Sequence, residues 1–108
     1  MSVNCVKMYQ KNGATFANGD DAYADKNSLF GPELTDTVTS CYDALLTSGI
    51  LLSPITKSWD QETFTLTVTK LVTSLEAYDA GVTWNNDDLV IACEAAGWSY
   101  IGGTQTTI

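Results

Sequence analysis

Between residues 63 and 69 the chain alternates without a miss: Thr63-Phe64-Thr65-Leu66-Thr67-Val68-Thr69. That is the period of a strand with one apolar and one polar face. Phe64, Leu66 and Val68 are expected in the core, with the threonines on the opposite face. After Val68 the apolar parity moves from even to odd at Leu71, which predicts a bulge or a strand end near Lys70. Leu51 to Trp59 is the predicted partner strand, turning at 60–62, with Pro54 at an edge or a strand start. A different period governs residues 33–48. Leu34, Val38, Cys41, Tyr42, Leu45 and Leu46 recur at spacings of three and four, one apolar stripe of a helix. Pro32 suits its first turn and Gly49 the position beyond its end.

Elsewhere the pattern is weaker. Val3, Cys5, Met8 and Tyr9 make an imperfect strand before the Asn12-Gly13 turn signal, so residues 1–19 read as an N-terminal hairpin or extended arm. Asn18 to Pro32, rich in Asn, Asp and Gly, reads as a loop. Thr73-Ser74-Leu75-Glu76 has the form of a capping box, predicting a short helix to Ala80 stopped by Gly81. Asn86 is placed to cap a helix with Asp87 and Asp88 in its first turn and Gly97 at its stop. Trp98, Tyr100 and Ile101 predict a last short strand, and residues 102–108 a Thr-rich tail. The expected fold is α+β: a small single domain over 20–101, with an antiparallel sheet of about four strands and two or three helices packed on one face.

The 108 residues include five lysines, 13 acids, no histidine and no arginine, for a net charge of -8. Without histidine, Ser-His-Asp and Cys-His catalysis and Cys/His zinc sites cannot be built. Without arginine, bidentate grip on phosphate is lost. Carboxylate-only chemistry survives, but no spacing among the acids singles out a pair. Asp25-Lys26-Asn27 fails as a calcium loop, because Phe30 stands where glycine is required. Neither enzymatic activity nor a cofactor or metal is expected. Five scattered lysines argue against direct nucleic-acid binding. The longest purely apolar run is Ile50-Leu51-Leu52, so no membrane association is expected. Met1 to Gln10 lacks the features of a signal peptide, which predicts synthesis in a cytoplasm. Cys5, Cys41 and Cys93 are expected to be reduced.

Charge is divided unevenly: residues 1–19 carry Lys7 and Lys11 and no acid, while the remainder carries all 13 acids. Low charge content, abundant threonine and missing catalytic residue types together lead to an expectation of a non-enzymatic assembly protein. By compositional analogy this is a small bacteriophage virion subunit of capsid-decorating or tail type, ending in a virus particle. Its partners would be other protein subunits, of the same chain or another. The candidate interface comprises Val3, Cys5, Met8 and Tyr9 as an added strand, Lys7 and Lys11 meeting carboxylates, and Thr63, Thr65 and Thr67 on the polar strand face. Two alternatives are an acidic inhibitor mimicking nucleic acid, and a carbohydrate-binding module using Trp84-Asn85-Asn86-Asp87 and Trp98-Ser99-Tyr100.

Overall fold

The computed structural model describes residues 1–108. Its elements are β1 (Val3–Gln10), α1 (Gly19–Lys26), α2 (Gly31–Thr47), β2 (Thr56–Asp60), β3 (Thr65–Val72), α3 (Leu75–Gly81), α4 (Asn86–Ala95) and β4 (Ser99–Thr107). The strands form one antiparallel sheet in the order β2-β3-β1-β4. Since β1 and β2 both run against β3, they are parallel to each other with β3 between them; β3 and β4 flank β1 in the same way. Two split β-α-β units interlock, each crossover carrying a pair of helices. The α+β architecture agrees with the expectation from sequence.

Local signals set the element ends. In α2, Val38, Cys41 and Leu45 are the buried stripe, and Gly49 follows at φ 80°. The cap of α3 is Ser74, whose side chain accepts from the Ala77 N–H, one residue later than the capping-box reading placed it. Asn85, not Asn86, caps α4, accepting from the Asp87 N–H. The loop expected over 18–32 instead contains α1. Asn18 caps it, Asp20 and Asp21 occupy its first turn and Lys26 its last. That arrangement of charge along the helix dipole offsets the poor propensity of its polar residues.

The alternation in β3 is more regular than the sequence reading allowed. Leu66, Val68, Lys70 and Val72 are all buried on one face, and Thr65, Thr67, Thr69 and Leu71 are half-buried on the other. No bulge occurs at Lys70; the residue simply points inward. Phe64 is the exception at the other end. It takes φ 55° in the turn and is not part of the strand. Asp60 holds that turn, its Oδ1 accepting from the Glu62 N–H at 2.9 Å.

Residues 3–10 do not form an arm. They are an inner strand paired on both sides, Val3 opposite Val72 and also opposite Thr107. The Thr-rich segment expected as a tail is β4 itself. Both follow from long-range pairing, which no local pattern reveals. The core divides in two. Ala22, Leu66, Val68, Cys93 and Trp98 form one cluster; Cys41, Leu45, Leu51 and Val72 form the other. Along β3 the residue between them is Lys70.

Leu66→Ala should cost roughly 2–5 kcal/mol of stability, the range for truncating a buried leucine. Thr67→Ala, on the uncovered face, should cost less than about 1 kcal/mol. Urea unfolding of the two variants checks this; equal losses would mean that both faces are covered.

Candidate functional site

Register fixes where the inner-strand side chains go. Val3, Cys5, Lys7 and Tyr9 lie opposite Val72, Lys70, Val68 and Leu66, and so share the helix-covered face. Three lysines meet there. Lys70 comes from β3, Lys7 from β1, and Lys26 from the last turn of α1. They line a cavity of about 630 Å³ between sheet and helices, together with Tyr9, Tyr23, Tyr42, Tyr78, Trp84, Trp98 and Cys93. Such a volume is in the range of small-molecule sites.

The five lysines fall into two groups. Lys11 binds the Asp25 carboxylate at 2.6 Å, and Lys57 lies 3.6 Å from Asp20. Lys7, Lys26 and Lys70 have no carboxylate within ion-pair distance, and these are the three in the cavity. Lys26 and Lys70 are only 6% and 8% exposed, whereas Lys7 stands at the open side. The two carboxylates lining the cavity, Asp79 and Glu94, are both solvent-exposed. Lys26 and Lys70 therefore sit inside, with Lys7 and the two carboxylates at the rim.

Aromatic faces partly replace the missing counter-ions. The Lys26 ammonium lies 4.8 Å from the ring centres of both Tyr9 and Tyr23 and 5.7 Å from that of Phe30. It donates to Asn27 Oδ1 at 2.7 Å and lies 3.8 Å from Cys93 Sγ. Lys70 lies 5.4 Å from the Tyr42 ring and 5.2 Å from the Tyr78 ring. Its Nζ donates to the Tyr78 hydroxyl at 3.0 Å. Cation–π contacts are worth about 2 kcal/mol or more when desolvated, less than the cost of burying an unpaired ammonium.

The titration of the groups follows. Burial lowers the Lys70 pKa to about 7, and Lys7 and Lys26 push it in the same direction. Burial also lowers Lys26, partly countered by Cys93. The Cys93 thiol is raised by burial despite Lys26 nearby. Tyr78 is raised to about 12 by burial, and Tyr9, Tyr23 and Tyr42 are raised for the same reason. At neutral pH the buried phenols and the Cys93 thiol are thus neutral, and Lys70 is an amine divided between its two forms.

The residues proposed from sequence do not form one surface. Val3, Cys5, Lys7 and Tyr9 face the helices, while Met8, Thr65 and Thr67 face the other way. Thr63 lies in the β2–β3 turn, its hydroxyl donating to Thr65 Oγ1 at 3.0 Å. Lys11 is held by Asp25, whose second contact is the Trp98 indole N–H at 3.0 Å. Burial opposes the Asp25 charge, but these two donors outweigh it and hold the carboxyl below its ordinary range. Trp98 is 2% exposed and packs edge-on to Trp59, and Trp84 packs against Tyr42. Neither ring is a free stacking platform for a sugar. Lys26 and Lys70 escaped the sequence reading because their inward direction depends on α1 and on unbroken parity in β3. The signal for Lys70 was the return of the even pattern at Val72.

No protein-family model matches the chain, and no curated protein sequence does. Among solved structures it is similar to one described as "Structural Genomics, protein YJCS", with a TM-score of 0.51 and 4% identity. The match covers 100% of this chain and 99% of that one. At that identity the likeness shows the fold alone.

Lys70 makes stability depend on pH. Its folded pKa of about 7 lies below the unfolded value of 10.5, so below pH 7 folding must bury a charge that water would solvate. The penalty is complete below about pH 7 and is relieved as pH rises toward that of an ordinary lysine. Lys70→Met should therefore be more stable than wild type at pH 6, by a few kcal/mol as an order of magnitude. The gap should narrow steadily by pH 9.5. Urea unfolding at both pH values measures it; a gap independent of pH would show that Lys70 is solvated.

Proposed function

We propose that the protein binds a small organic anion, an apolar or aromatic body bearing one carboxylate, in the cavity between sheet and helices. The observation that carries this reading is that three lysines, none paired with a carboxylate, line one aromatic-walled cavity of a protein with net charge -8, two of them buried. Burying lysines beside one another without counter-ions destabilises a folded chain unless something compensates them. A carboxylate seated among Lys7, Lys26 and Lys70 supplies that compensation, and the tyrosine and tryptophan walls supply apolar contact.

Asp79 and Glu94 at the rim disfavour extended polyanions, whose outer charges would lie beside them. Nucleic acid and polyphosphates fit less well than a compact monoanion. The expectation of a chain without chemistry of its own rested on absent histidine and arginine, and a lysine cluster of this kind lay outside it.

A titration with 3-phenylpropionate, read by the fluorescence of Trp84 and Trp98, tests the reading. The acid should bind saturably and its neutral amide should not. Lys26→Met should weaken binding by tenfold or more, matching the roughly 1.5–3 kcal/mol of a charge-assisted hydrogen bond. Equal binding of acid and amide, or binding of neither, would remove the proposal.

A second reading keeps the expectation of assembly. The uncovered sheet face presents Val6, Met8 and Leu71 at its centre, ringed by Thr65, Thr67, Thr69, Thr104 and Thr106. Asp60, at a corner, is the only charge on that face. On a strongly acidic protein it is the face two copies can bring together with least repulsion. We infer self-association through this face as the first step of any assembly the composition suggests. Sedimentation should show a dimer that Met8→Lys converts to monomer; a wild-type monomer at all concentrations overturns it.

A further inference from the structure

We propose that Lys70 is a nucleophile that forms an imine with a carbonyl compound carrying a carboxylate, a 2-oxo acid in chemical class. This deepens the anion-binding reading and rests on it. Lys70 Nζ is held on the rigid centre of the sheet, in a cavity wall, with no carboxylate partner. Its single hydrogen bond runs to the Tyr78 hydroxyl at 3.0 Å. Desolvation and neighbouring cations are the two means by which a lysine amine is made nucleophilic near neutral pH. Both are present: Lys70 is buried, and Lys7 and Lys26 line the same cavity. Those same two cations would hold the carboxylate, placing the adjacent carbonyl carbon against the third amine.

The other groups lining this cavity or acting on Lys70 leave that chemistry open. From β1 come Lys7, Cys5 and Tyr9; from α1, Lys26 and Tyr23; from α2, Tyr42; from α3, Tyr78 and Asp79; from α4, Cys93 and Glu94; from β4, the exposed Tyr100. Burial keeps Tyr9, Tyr23, Tyr42, Tyr78 and the two thiols protonated through neutral pH, and both carboxylates are exposed. No carboxylate lies within ion-pair distance of Lys70 to stabilise its ammonium form.

The step balances with water and protons alone. The Lys70 lone pair forms a C–N bond to the carbonyl carbon, and the carbonyl π electrons move to oxygen. One proton passes from nitrogen to that oxygen through the Tyr78 hydroxyl, giving a carbinolamine. The C–O bond then breaks, the hydroxyl takes a second proton from solvent, and water leaves. An iminium on Lys70 remains, its positive charge replacing the one the ammonium would carry.

Phenylpyruvate with cyanoborohydride, followed by peptide mapping in a mass spectrometer, tests this on the wild-type chain. One reduced adduct is expected, on Lys70, and 3-phenylpropionate should compete it away. The initial trapping rate should rise about tenfold from pH 6 to pH 8 and then level, whereas an ordinary lysine would keep gaining toward pH 10. Lys70→Met should lose the adduct while still binding 3-phenylpropionate. Adducts spread over Lys7, Lys11 and Lys57, or no adduct while 3-phenylpropionate binds normally, would overturn the imine and leave anion binding standing. Failure of both probes to bind would overturn the two together.

Discussion

The burial of ammonium groups without carboxylates is the constraint around which this fold is arranged. Lys70 occupies an inward position on an inner strand, where neighbouring positions carry Val68 and Val72. A close-packed apolar layer over that residue would strand a charge in low dielectric. The helices therefore stand off the sheet at this point, and the core separates into two clusters with a cavity between them. The tyrosines follow from the same constraint. Tyr9, Tyr23, Tyr42 and Tyr78 turn their faces toward ammonium groups, which apolar side chains of similar size cannot stabilise in this way.

The arrangement costs stability. Only 14 of 108 residues are buried, so a small core carries the whole fold, and the cavity removes packing from its middle. Close contact elsewhere compensates in part. Cys41 Sγ lies 3.1 Å from the Gly81 carbonyl, and a methyl group on Gly81 would meet Leu45 Cδ2 at 2.5 Å. The end of α3 is thus locked against α2, which fixes Tyr78 one turn earlier beside Lys70. Rigidity is concentrated where it holds the cavity wall in place.

How far the sequence disclosed this depended on the range of the information. The alternation through Leu66 and Val68 and the stripe of Val38, Cys41 and Leu45 are local, and both elements were legible. The α1 helix was not, because its single capping side chain, Asn18, sits among residues typical of loops. The place of residues 3–10 at the centre of the sheet depends on partners at 65–72 and 99–107, and local pattern is silent on that. Lys70 was the costliest misreading. A polar residue in an apolar row resembles a strand end, and only the buried face of the folded sheet shows that it continues the row. The cavity needed residues from β1, α1, α2, β3, α3 and α4, a convergence that no linear motif records.

The pairing of β1 with β4 bears on how the chain reaches this structure. Val3 lies opposite Thr107, and the Ile108 N–H donates to the Ser2 carbonyl at 2.8 Å. The first strand of the sheet is therefore completed by its last, across a long closing loop. Such closures are entropically expensive and slow. Until β4 arrives, one edge of β1 presents unpaired backbone groups beside Val6, Met8 and Tyr9, the kind of edge that recruits strands from other chains. Because β4 is made after β1, a nascent copy stays open to mispairing until β4 emerges, and its acidic charge is the main force keeping neighbours apart in that interval.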